Sequence, residues 1–322
     1  MQKDKKDSAH WADKKEVAVF SWQLRFIAFV ACYFPAFLKN IIAMVITAFY
    51  FALLKKERKI SLIYLKKCKG KAGLFDSYKH FLSYSLALLE KFYCWSGRTS
   101  ILQIETQNDD IGELCRQLEN GNGCLIICSH LGNIEYLWSS AAFDKTHVKR
   151  AFEFYPIADI SVTPKRNELL KRNNSKFFKN ILDANSIGPE TVAFLSEKLA
   201  QGNVAIIAGD RVSVNTRSRI VPVRFLGEQA YFPMGAFALA CALKVPVYFV
   251  FALRDKDFGF SSSCEMHIHK ASNVIEGNYL QRKQQIPSLA EEFARHLEYY
   301  CLKHPMQWYN FYDFWVEHEE KE

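Results

Sequence analysis

The stretch CLIICSHLGNIEYLW, residues 124–138, decides the fold class and raises the question of function. Leu125, Ile126, Ile127 and Cys128 form a short unbroken apolar run, as expected of a strand buried on both faces. Ser129 and His130 follow at its carboxyl end, where open α/β sheets gather their chemistry. Gly132 and Asn133 permit a sharp turn, and residues 134–142 continue with the spacing of a helix. Glu135 then falls near the first turn of that helix and is expected to face back towards His130. A histidine oriented by a carboxylate is the minimum equipment for removing a proton from a hydroxyl near neutral pH. Taken alone, H-x-x-x-x-E arises easily by chance. A strand-end histidine bonded to a backbone carbonyl, beside a solvated glutamate, has the same sequence.

Outward from this strand, residues 203–208 (NVAIIA) and 246–253 (PVYFVFAL) read as two more buried strands. Residues 100–105, 148–155 and 264–269 also read as strands, the last at or near a sheet edge. Helical spacing recurs over 60–67, 78–93, 111–118, 190–199, 235–243 and 287–303, while 164–178 fits a helix or a mobile loop. Gly227 marks a turn. Strands alternate with helices, without hairpin turns between the strands. The expected fold is therefore α/β, with a mixed, mostly parallel central sheet flanked by helices and membrane-associated helices at the N-terminus. Three segments follow: a frayed or disordered charged stretch (1–23), membrane-associated helices with a basic segment (24–71), and the α/β domain (72–322).

The basic segment carries Lys55, Lys56, Arg58, Lys59, Lys66, Lys67, Lys69 and Lys71 against one acid, Glu57, in a chain of net charge +8. It suits anionic lipid head groups or an acidic partner. Nucleic acid is not expected, because no zinc-knuckle or aromatic RNA-binding signature accompanies it. A merely solvated basic helix is the plain alternative. Just upstream, residues 26–54 are apolar apart from Pro35 and Lys39, but the uncharged run 40–54 is short for a span. A kinked span, a hairpin dipping into one leaflet, and helices covering a soluble core all fit. Basic residues after an apolar helix place that side in the cytoplasm.

A second constellation is Gly209-Asp210-Arg211, followed by Arg217 and Arg219. Its arginines can hold a phosphate or a phosphopantetheine arm by paired hydrogen bonds, with Asp210 orienting one of them or a substrate hydroxyl. A surface loop with weak salt bridges is the ordinary reading. The nine cysteines form no C-x-x-C pair and sit in apolar runs, as small hydrophobes do in a reducing compartment. His267 and His269 share a face without a third ligand nearby, so no metal and no bound cofactor are expected.

Taken in order, several blocks resemble the bacterial lipid A biosynthesis (late) acyltransferases of the lysophospholipid acyltransferase superfamily. They are SHLGNIE (129–135), GD (209–210) after an apolar strand, VPVRFLGEQA (221–230), G-x-x-x-L-A (235–240) and VPVYFV (245–250). The ending HPMQWYNFYDFW (304–315) and the apolar stretch before KKERKISLIYL (55–65) complete the likeness, which runs over roughly residues 24–315. The resemblance implies an enzyme moving an acyl chain from acyl-acyl carrier protein, or acyl-CoA, to a hydroxyl of a membrane (glyco)lipid at the cytoplasmic face of the inner membrane. It implies His130 as general base and Glu135 as its orienter, with Asn133, Asp210, Arg211 and Arg217 at the substrate. Backbone N–H groups near Gly132 and Asn133 would meet the oxyanion. An acyl-thioester hydrolase and a non-catalytic lipid- or carrier-protein-binding homologue remain as alternatives. Where the family commonly carries a His-Arg-Arg type run, this chain has YNFYDF (309–314), so the acceptor stays open.

Overall fold

The computed structural model describes residues 21–96, 100–104, 109–137, 148–159, 180–211, 219–272, 276–312 and 314–315. Four helices come first: α1 (Ser21–Tyr33), α2 (Ala36–Leu53), α3 (Lys55–Lys69) and α4 (Leu74–Trp95). Pro35 stands between α1 and α2 in extended conformation, lacks an N–H, and so stops one helix while starting the next. Then follow β1 (Ser100–Ile104), α5 (Ile111–Glu119), β2 (Cys124–Gly132), β3 (Phe154–Ala158), β4 (Leu182–Asp183) and α6 (Pro189–Ala200). The remainder is β5 (Val204–Ala208), β6 (Ile220–Phe225), β7 (Glu228–Pro233), α7 (Met234–Leu243), β8 (Val247–Arg254), β9 (Ser263–Lys270), α8 (Tyr279–Gln284) and α9 (Ile286–Lys303).

Seven strands form the central sheet in the order β1-β9-β8-β2-β5-β3-β4. All neighbours are parallel except β8 and β9, so the sheet is mixed and mostly parallel, as expected. Helices cover both faces, and the alternation along β2 sorts its side chains between them. Leu125, Ile127 and Leu131 join Phe249, Phe251, Phe293 and Leu297 in one core. Cys124, Ile126 and Cys128 join Leu114, Leu118 and Ile268 in the other. Every residue from Cys124 to Cys128 is buried, which explains why the run reads as continuously apolar.

Two expectations need correction. The strand expected at 148–155 begins only at Phe154, because the N–H groups of Lys149 and Arg150 bond the Glu119 carboxylate and hold that stretch off the sheet. A hairpin does exist: β6 and β7 pair antiparallel in a separate two-stranded sheet. Its turn is Leu226-Gly227, with φ of 49° and 83°, and that twist normally calls for Asn or Gly at the first position. The leucine hid it. Buried Leu226 and Phe225 belong to the same core as α9, which supplies the compensation. Of the helix expected at 134–142, residues 135–137 are helical and 138–142 lie outside the described residues, as does 164–178.

Candidate active site

Strand register brings the site together. β2 and β5 are parallel neighbours whose last matched pair is Cys128 and Ala208. His130 and Asp210 are each the second residue beyond that pair, so two residues eighty positions apart emerge side by side. Asp210 Oδ1 lies 2.7 Å from His130 Nδ1, and Oδ2 accepts the backbone N–H of His130 at 2.7 Å. Gly132 then turns the chain with φ of 71°, and a Cβ there would stand 2.0 Å from the Ala252 carbonyl oxygen. Only glycine fits.

The electrostatics leave the imidazole neutral. Burial lowers the His130 pKa, the Arg211 cation lowers it further, and Asp210 opposes both without overcoming them. For Asp210, burial alone would raise the pKa. The contact with His130, the indole N–H of Trp308 and the backbone N–H of His130 more than offset this and hold it below the usual carboxylate range. An ionised Asp210 accepts, so Nδ1 of His130 carries the proton and Nε2 presents its lone pair. The His130 side chain is 29% exposed while that of Asp210 is fully buried. The histidine is the member of the pair that a substrate can touch.

The C-terminal segment backs the pair. Trp308 bridges antiparallel to Leu131, Gly132 N–H bonds Gln307 O at 2.8 Å, and Tyr309 N–H reaches His130 O at 3.3 Å. Trp308 Nε1–H donates to Asp210 at 3.0 Å, and Tyr312 donates its hydroxyl to the Asp210 carbonyl. Behind Trp308, its carbonyl lies 2.9 Å from His80 Nε2, and His80 Nδ1 faces Ser61 Oγ at 3.0 Å. Burial drives the His80 pKa down to about 4, so this ring is neutral as well. The segment is itself clamped by a fully buried ion pair. Arg254 donates from Nε and a terminal nitrogen to the two oxygens of Glu90, at 2.7 and 2.9 Å. The Gln307 side chain closes on the backbone N–H and carbonyl of Arg254.

The expected residues fall in different places. Asp210, expected at the substrate, is the carboxylate bonded to His130 Nδ1. Glu135, expected to orient His130, is buried, and its Oε1 pairs with Lys91 at 3.2 Å. Asn133 is fully buried and donates to the Ala87 carbonyl at 3.4 Å, which ties the turn to α4. The N–H groups expected for an oxyanion are already taken, Gly132 by Gln307 and Asn133 by Ala252. Arg211 is half-buried beside the pair and donates to Tyr309 O at 3.2 Å. Arg219 is exposed, and Arg217 lies outside the described residues.

Trp308, His80, Lys91 and the Glu90–Arg254 fork were not read as site residues from sequence. Only Trp308 left a trace there, as half of a Gln-Trp pair. His267 and His269 share the buried face of β9, where His269 bonds Tyr300 at 2.7 Å. Among the described residues no cluster of three or more His, Cys, Asp or Glu could hold a metal. Cys128 is buried, and both burial and Asp210 push its thiol pKa up, which leaves it a core residue and not a thiolate nucleophile.

A neutral histidine at a strand end, held by a buried carboxylate, can take a proton from a hydroxyl and hand it on. Comparison with curated proteins gives no match. The family model described as bacterial lipid A biosynthesis acyltransferase, however, matches residues 13–316. That match covers almost the entire chain, from the N-terminal helices to the Trp308 segment, and the chain belongs to the bacterial lipid A biosynthesis acyltransferase family.

Proposed function

We propose that this acyltransferase moves a fatty acyl chain from an acyl-thioester, acyl-acyl carrier protein or acyl-CoA, to a hydroxyl of a membrane (glyco)lipid. His130 Nε2 takes the hydroxyl proton as the oxygen attacks the thioester carbonyl. The tetrahedral intermediate then collapses, the C–S bond breaks, and the proton passes from His130 to the departing thiolate. Asp210 fixes the tautomer and stabilises the imidazolium that forms between these steps. Arg211 is the cation beside the base and is assigned to the developing oxyanion or to a phosphate of either substrate. Arg217 is assigned to the same anionic group. Glu135 holds Lys91, and Asn133 holds the turn after β2. No protein nucleophile and no bound cofactor enter the scheme. The enzyme works at the cytoplasmic face of the inner membrane, where the lysines of α3 meet the anionic head groups of that leaflet.

The observation that carries this reading is the 2.7 Å contact between His130 Nδ1 and buried Asp210, which leaves a neutral Nε2 open. The test incubates the full-length protein in lipid with radiolabelled acyl-acyl carrier protein and a bacterial lipid extract. Label entering lipid, and lost in His130→Ala, supports acyl transfer. Label released as free fatty acid makes the protein a hydrolase, and no turnover makes it a binding homologue.

A further inference from the structure

Attack on a thioester puts negative charge on its carbonyl oxygen, yet the N–H groups of Gly132 and Asn133 are committed to Gln307 and Ala252. Another donor stands close by. Lys91, on α4, places Nζ 3.2 Å from Glu135 Oε1. Residues 133–136 are packed beneath one turn of that helix. Asn133 donates to the Ala87 carbonyl, Tyr136 donates to Glu90 Oε2 at 3.3 Å, and Glu135 takes Lys91. Glu90 is occupied by Arg254, so it does not compete for the ammonium.

The pair repeats the plan of His130 and Asp210. Glu135 is the inner member, with 7% of its side chain exposed, and Lys91 is the outer one, at 19%. Oε2 of Glu135 is buried and has no hydrogen-bond partner among the described residues, so Lys91 is what compensates the carboxylate's charge. An ordinary surface salt bridge leaves both groups solvated and contributes little. Burying the carboxylate is costly, and it leaves an ammonium fixed in one place with further N–H donors available. Its position is the second clue. His130 lies on β2 between β5, which delivers Asp210 and Arg211, and β8, whose last residue Arg254 grips α4 beside Lys91. Cys94 and Tyr136 share a core with Ala252 of β8 and Cys264 of β9, which puts this part of α4 on the β8 side. One cation thus stands on each side of β2, and the field of each lowers the His130 pKa.

We propose that Lys91 is a catalytic residue of the acyl transfer: its ammonium donates to the thioester carbonyl oxygen as charge gathers there, and Glu135 is the positioning residue that holds it. The hydroxyl oxygen bonds to the carbonyl carbon, and the C=O electron pair moves onto oxygen. Lys91 stabilises that charge without giving up its proton. The electron pair returns as the C–S bond breaks, while His130 passes the hydroxyl proton to the departing thiolate. Arg211, with one donor on the Tyr309 carbonyl, is then the group for a substrate phosphate. The inference rests on the acyl-transfer reading and adds a residue to it.

Steady-state kinetics of the full-length protein in lipid test this, with acyl-acyl carrier protein as donor, the bacterial lipid extract as acceptor, and a pH above the acid limb. Lys91→Met should cut kcat by about 10²–10³ and leave the KM for the thioester within about twofold. Because that change strands a buried carboxylate, the deciding variant is Lys91→Met with Glu135→Gln, which removes both charges. It should keep its melting temperature and be as slow as Lys91→Met. Glu135→Gln alone should cost less, since the ammonium is kept, and should add nothing in the double variant. A double variant with wild-type kcat would mean that Lys91 only neutralises Glu135, and the proposal falls. A raised KM at unchanged kcat would give Lys91 to a substrate phosphate and overturns it too. His130→Ala, run in parallel, separates the two readings. Turnover lost in His130→Ala but intact in the double variant sinks Lys91 alone, whereas a wild-type protein without turnover overturns both.

Discussion

Trp308 donates its indole N–H over 3.0 Å to Asp210 Oδ2, the same oxygen that accepts the His130 backbone N–H at 2.7 Å. Three donors thus converge on one buried carboxylate, two from His130 and one from the C-terminal segment. The indole restrains Asp210 from rotating away from the imidazole. Trp308→Phe keeps a ring against Tyr64, Phe225 and Phe314 but removes the donor. Such a bond to a charged group contributes about 1.5–3 kcal/mol. The variant should fold, lose roughly tenfold to a hundredfold in kcat, and keep its KM for the thioester. An unchanged kcat would make the indole a packing group only.

Asp210→Asn is the sharper test of the pair. The amide can donate to Nδ1 as easily as accept from it, so the proton moves to Nε2 and the base is lost in much of the population. Loss of a carboxylate in this position, or of a general base outright, costs on the order of 10²–10⁴ in rate. The drop should appear across the whole pH range. If Asp210 acted only on the His130 pKa, which it raises, the variant would move the acid limb to lower pH and keep its plateau rate, and that outcome would overturn the tautomer role.

The pH profile carries its own prediction. As the proposed base, His130 must be neutral, and burial with the Arg211 cation holds its pKa below the ordinary 6.5. The acid limb of kcat/KM should therefore fall below 6.5, with activity full above it and lost as pH drops. Arg211 is the leading charged cause of the lowering, after burial, so Arg211→Leu should move the limb to higher pH. Lys91→Met should move it the same way by less. A limb that stays put in both variants would mean that the titrating group is not His130.

How far the sequence revealed this site depends on what kind of contact holds each part. The β2 run announced His130 because burial on both faces leaves an unmistakable apolar string ending in polar residues. Asp210 stood at the end of a matching string, and its residue type was noted. What was not legible was that β2 and β5 are neighbours in a register that aligns Cys128 with Ala208. Pairing across eighty residues has no local signature, so the carboxylate five positions away, Glu135, looked like the natural partner. Its actual neighbour, Lys91, lies on α4, again far in sequence. The hairpin at Leu226-Gly227 was missed for the converse reason: a tertiary contact overrode the turn chemistry.

The Glu90–Arg254 pair ties α4 to the sheet, and both side chains are completely buried. Arg254 also donates to the Ser83 hydroxyl and to the carbonyls of Ser83, Asp257 and Gly259, so its charge is fully surrounded by acceptors. Removing one partner leaves the other charge buried and uncompensated, which typically costs 3–5 kcal/mol. Glu90→Gln should therefore lower thermal stability by about that amount and reduce activity through displacement of the Gln307–Trp308 segment. A variant with an unchanged melting temperature would remove the clamp from the account of the site.

Acid should unfold the protein before it titrates most carboxylates. His80 and His296 both have pKa values driven down to about 4, chiefly by burial, with the stacked His269 adding to the effect on His296. A histidine held neutral in the fold but free to protonate at about 6.5 when unfolded stabilises the native state fully above that pH. The contribution is lost as pH falls from about 6.5 towards 4, because the unfolded chain binds protons that the folded one refuses. For His80, which is fully buried, the effect corresponds to about 3 kcal/mol, and the partly exposed His296 adds less. Denaturant midpoints measured between pH 7 and pH 4.5 should fall steadily, and His296→Phe should flatten the slope by removing one of the two groups. His80 is the poorer choice for substitution because its ring also holds the Trp308 carbonyl. A pH-independent midpoint over that window would show that neither ring is kept neutral by the fold.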